Sequence, residues 1–81
     1  MMKDVENRVA DAMKDGFVIM HDKEFSSDGY ESRRVVLADR YGVVNLIEGN
    51  KTPSTAKCMK IILSLDELES IVKKARELQG R

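Results

Sequence analysis

Tryptophan is absent from this 81-residue chain, cysteine, histidine and proline occur once each, and phenylalanine and tyrosine twice each. Each shortage removes a class of chemistry. A lone Cys58 closes no internal disulfide and builds no cysteine-based zinc site, which suits a reducing compartment. His21 is followed by Asp22 and Glu24, but neighbours on a strand point to opposite faces, so His21 and Asp22 do not converge on a metal. No apolar run approaches the roughly 18 residues that a spanning helix needs, and the first residues are too polar for a secretory signal. A cytoplasmic protein is expected.

Glycine is also sparse: Gly16, Gly29, Gly42, Gly49 and Gly80 fall singly at expected turns or helix ends, and none forms a phosphate-binding loop. Ser26, Ser27 and Ser32 are explained by a turn. Cys58 would need a base to become a nucleophile, and the sole candidate is His21. These residues give no catalytic constellation, so neither an enzyme nor a cofactor or metal is expected.

What the chain does contain is 42% hydrophobic and 35% charged residues, the balance of an ordinary globular domain. Its length allows one domain, residues 1–81. A core of this size supplies only a few kcal/mol net, so burial against a partner or a second copy is the expected remedy. The net charge is zero, but it is unevenly spread. Residues 1–32 hold eight acids against four bases, and residues 33–60 hold six bases against two acids.

The spacing of Val5, Val9, Ala12 and Met13 predicts a helix over 4–15, capped by Asp4 and ended by Gly16. Strands are expected at 17–25 and 30–39 around the turn SSDG, and at 43–48 after the turn DRYG, in which Asp39 bonds back to the backbone. The stretch 49–57, GNKTPSTAK, has no periodicity and reads as a mobile basic loop. A strand follows at 58–63, then a helix at 65–79. Ser64 and Glu67 form a capping box there, and Leu65, Leu68, Ile71, Val72, Ala75 and Leu78 form one apolar stripe. The fold class is therefore α+β: an antiparallel sheet of about four strands, a three-strand meander plus one, with N-terminal and C-terminal amphipathic helices.

Val35, Val36, Leu37 and Ala38 are apolar on both faces of their strand, as are Val43, Val44, Leu46 and Ile47. A sheet with one wet face would alternate instead. Both faces should thus be covered, either by the two helices on opposite sides or by both helices on one side and a second copy or partner on the other.

These features favour a small non-catalytic binding module that docks onto a protein, as regulators, adaptors and phage-type inhibitors do, and that self-associates as a homodimer. Asp11, Asp15, Asp22, Glu24, Asp28 and Glu31 are its candidate protein-binding residues, an acidic patch suited to a basic groove. The alternative is single-stranded DNA or RNA binding through Arg33, Arg34, Arg40, Tyr41, Lys51, Lys57 and Lys60, with Tyr30 also near to stack on bases. Several strands, a basic loop and one amphipathic C-terminal helix over residues 17–79 resemble the layout of PUR-repeat and whirly-type single-strand binders. The N-terminal helix lies outside that layout.

Overall fold

A computed structural model describes residues 2–81. Its elements are α1 (Lys3–Lys14), β1 (Val18–Ser27), β2 (Tyr30–Ala38), β3 (Val43–Lys51), β4 (Ala56–Ser64) and α2 (Leu65–Gln79). The strands form one antiparallel sheet in the order β1-β2-β3-β4, with β1 and β4 at its edges. The chain is an α+β domain with a helix at each end of the sequence.

Each strand connection is short because its turn chemistry is complete. Asp28 and Gly29 both take positive φ, 44° and 83°, between the paired residues Ser27 and Tyr30. This is the two-residue hairpin connection whose twist matches that of its strands. β1 therefore runs two residues beyond the expected end at 25. In the next turn, Asp39 Oδ1 accepts from the N–H groups of Tyr41 and Val43, both at 2.9 Å, while Gly42 takes φ 83°.

The third connection corrects the expected loop over 49–57. β3 and β4 pair out to Lys51 and Ala56, so only residues 52–55 turn. The Thr52 N–H donates to the Thr55 carbonyl at 2.8 Å, and Thr52 Oγ1 accepts from the Thr55 N–H at 3.1 Å. Hydroxyl groups thus close a hairpin that carries no glycine signal, and ladder pairing overrides the weak strand propensity of Gly49, Asn50 and Lys57.

The helix ends also differ in one respect from expectation. α1 starts at Lys3, and its cap residue Met2 offers no side-chain bond. Asp4 therefore does not cap the helix; with Glu6 it lies in the first turn, where negative charge meets the positive end of the helix. At α2 the capping box is complete: the Ser64 N–H donates to Glu67 Oε1 at 2.9 Å, and the Glu67 N–H donates to Ser64 Oγ at 3.0 Å. The backbone bond from Ser64, then its side-chain bond, holds the Glu67 carboxyl below its usual range.

α1 lies on one face of the sheet. Val5, Val9 and Ala12 bury against Val35, Leu37 and Ile47, with Met2, Phe17 and Cys58 packed at the margin. Gly49 permits the approach, because a Cβ there would overlap Val5 Cγ2 and lie 2.8 Å from Met2 Sδ. Asn45 is buried on this same face, paired with Leu37 and Ile62. Its Oδ1 has no hydrogen-bond partner among the described residues, which costs about 1–3 kcal/mol.

Neither helix covers a whole face. α1 covers the middle of one, leaving Ile62 exposed, while on the other Val44 is buried and Val18 and Ile61 are exposed; α2 buries none of its own residues. α2 leaves directly from the end of β4 and meets the sheet at β4 and at the β2–β3 turn, where the Leu65 N–H donates to the Gly42 carbonyl at 2.7 Å. The result is a slab of 39 × 37 × 15 Å with a radius of gyration of 14.5 Å, against about 12 Å for a compact domain of this length.

Candidate functional site

Strand alternation puts Val35, Leu37 and Ile47 under α1, so their neighbours Val36, Leu46 and Val44 point to the other face. Register then assembles that second face row by row. Val18, Ala38, Val44 and Leu63 stand side by side across the four strands, and His21, Val36, Leu46 and Ile61 form the next row. Lys23, Arg34, Glu48 and Met59 follow, then Phe25, Ser32, Asn50 and Lys57. The face is therefore apolar at the end where α2 begins and polar at the far end.

The polar end is held by its own bonds. Arg34 Nε donates to Glu48 Oε2 at 2.9 Å, and Asn50 Nδ2 donates to Glu48 Oε1 at 3.2 Å. The Arg34 bond first, and the Asn50 bond second, keep the Glu48 carboxyl below its usual range. Tyr30 donates its hydroxyl proton to Asn50 Oδ1 at 2.9 Å, with the Phe25 ring tilted beside it at 6.1 Å between centroids.

The apolar end continues into α2. Ile71 is 52% exposed, Val72 43% and Leu78 68%, and none of the helix's residues is buried. Leu65, Leu68 and Val72 line a shallow open groove with the flanking charges Glu69, Lys73 and Arg76. On the sheet, Val18 and Ile61 are likewise exposed, at 58% and 44%. At this end of the face Val44 is buried at 2% and Val36, Leu46 and Leu63 are half-buried, so the exposed apolar groups are those at its two edges, Val18 and Ile61, together with the stripe of α2 from Ile71 to Leu78.

The six acids expected to bind protein do not form one patch. Asp22 and Glu24 point to the α1 side of β1, opposite Val35 and Arg33. Arg33 donates to both oxygens of Asp22, at 3.1 and 2.8 Å, and its Nε lies 3.5 Å from Glu24. The hydrogen bonds from Arg33 hold the Asp22 carboxyl below its usual range against a smaller opposing effect of burial. Glu31 joins Glu6, Glu24 and Arg33 around a cavity of about 300 Å³. Asp28 sits in the hairpin turn, while Asp11 and Asp15 lie in the last turn and at the C-cap of α1.

The basic set is also divided. Arg33 and Arg34 point to opposite faces, one bound to Asp22 and the other to Glu48. Arg40 stacks over the exposed Tyr41 ring at 4.9 Å and donates to its hydroxyl at 2.7 Å. That pair occupies the β2–β3 turn, whereas Lys51 and Lys57 lie at the other end of β3 and β4, about 25 Å away along the strand. Lys60 pairs with Ile47 and so points to the α1 side. His21 and Cys58 are on opposite faces of opposite edge strands.

No family model matches the sequence, and comparison with curated proteins and with solved structures returns no match. Sequence reasoning missed that exposed apolar groups remain both on α2 and at the edges of the second face. The signal was present in the stripe from Leu65 to Leu78 and in the doubled runs of β2 and β3, but register was needed to put them together.

Proposed function

We propose that this protein is a small non-catalytic binding module of the cytoplasm, acting as a regulator, adaptor or inhibitor by docking onto a protein surface through the stripe of α2 and the apolar end of the second sheet face. The observation that carries this reading is α2 itself: a well-capped helix of 15 residues with an apolar stripe and no buried residue. Helices of this kind gain most of their stability from packing the stripe, so an uncovered one marks a missing partner. The acids at the α1 side and in the hairpin turn serve encounter and orientation, as rim charges do, while apolar burial supplies affinity.

Single-strand binding is the weaker reading, because a basic groove needs contiguous cations and these are split between faces and ends. The test is a paired substitution, Ile71→Glu with Val72→Glu, in the full-length protein. Immobilised wild type is expected to retain defined host proteins that the variant loses, with thermal unfolding of the sheet unchanged. Equal retention by both would place docking elsewhere, and salt-sensitive binding of a labelled oligonucleotide by both would favour nucleic acid.

A further inference from the structure

The docking surface proposed above leaves its occupant open, and the geometry points to a second copy of this chain: we infer that two copies exchange their C-terminal helices, each α2 lying across the apolar end of the other's second sheet face.

Area is the first argument. The chain exposes 6265 Å², whereas a folded monomer of 9.2 kDa exposes about 4,900 Å². The excess of roughly 1,300 Å² exceeds the about 800 Å² per partner buried in a standard interface and falls in the range of obligate homodimers.

The second argument is connectivity. Ser64 ends β4 and Leu65 begins α2 with no linker between them. The capping box and the Leu65-to-Gly42 bond fix the angle of departure. These bonds hold α2 at the end of β4, where Val44 is buried but Val18 and Ile61 of the same face and Ile71, Val72 and Leu78 of the stripe stay exposed, two apolar surfaces of matching chemistry. Reciprocal exchange about a two-fold axis satisfies both stripes and both faces at once, which is the self-complementarity a closed dimer requires. A helix of this length spans about 22 Å, long enough to cross the about 14 Å from the first strand axis to the last. The charges agree as well, because the chain has zero net charge and two copies meet without strong mutual repulsion.

This inference rests on the docking reading but can fail without it. The experiment is sedimentation velocity on the full chain over a wide concentration range, together with photocrosslinking from a benzophenone amino acid at Ile71 in a mixture of ¹⁵N-labelled and unlabelled protein. The expected result is a species of twice the 9.2 kDa chain mass, with mixed-isotope crosslinks from position 71 to the strand peptides bearing Val36, Leu46 or Ile61. Ile71→Glu with Val72→Glu should weaken the dimer at least about tenfold, because it buries two charges. Ile61→Arg, on the receiving face, should do the same while leaving the helix stripe intact.

Three outcomes overturn the inference. A dimer whose crosslinks join only α2 to α2, or β4 to β4, assigns a different interface. A monomer at all concentrations whose position 71 crosslinks to an added host protein removes the second copy and leaves docking in place. A monomer with no crosslink of any kind removes both.

Discussion

The two helices of this protein have similar patterning and opposite fates. α1 buries Val5, Val9 and Ala12 on the sheet, although its start has no side-chain cap. α2 has a complete capping box and a wider stripe, yet buries nothing. Periodicity is common to both helices and a side-chain cap is not, while the element each packs against is decided by geometry. For α1 that geometry is a glycine on β3, Gly49, which lets the first turn sit against strand backbone. For α2 it is a junction without a linker, which holds the helix at the end of β4 with none of its residues buried.

The sharpest way to break this comparison is to truncate one apolar side chain on each side. Leu37→Ala removes a fully buried side chain under α1 and should cost about 2–5 kcal/mol in denaturant unfolding. Leu78→Ala, measured in dilute solution where copies do not meet, should change stability by less than about 0.5 kcal/mol. Equal losses would mean that α2 packs within its own chain. Smaller is the effect of Ser64→Ala, which removes the cap hydroxyl and should cost about 1 kcal/mol of helix stability. Because α2 buries none of its residues in the single chain, that loss should appear as faster amide exchange in the first turn of α2, with the sheet midpoint unmoved.

Acidification gives the smallest effect and compares the two faces of the sheet. Asp22 on the α1 side and Glu48 on the open side both titrate below their usual ranges, each because an arginine binds it. A carboxylate depressed in the folded state contributes its full stability above its unfolded value of about 4, and loses it as pH falls through the folded value. Stability should therefore fall on acidification below about pH 4. Each pair is partly exposed and contributes no more than about 1 kcal/mol. Asp22→Asn and Glu48→Gln should each flatten the acid limb of a stability-against-pH curve by a similar small amount.

Much of this architecture was legible from residue chemistry. The box Ser64–Glu67, the turn at Asp39–Gly42 and the order of six elements all follow local rules, and the expected bounds differ from the observed ones by a few residues. The β3–β4 hairpin was not legible, because its closure depends on threonine hydroxyls and on cross-strand pairing of residues with low strand propensity. Doubled apolar runs led to the expectation that each face is covered, whereas in the single chain each face is covered only in part: Ile62 is exposed on the α1 side, and Val18 and Ile61 on the other. The candidate charges illustrate the same limit. Arg33 and Arg34 are adjacent in sequence and therefore on opposite faces, each bound to a different acid, so a basic segment in sequence is not a basic surface in space.

The central claim is that the second face and α2 form one surface closed by another protein chain. Amide hydrogen exchange from dilute to concentrated solution, and again with any captured partner added, tests it most directly. Protection should rise together in α2 from Leu68 to Leu78 and in the strands bearing Val36, Leu46 and Ile61, while that of α1 stays constant. Exchange in α2 that remains fast under every condition, with that sheet face still open to solvent, would contradict it.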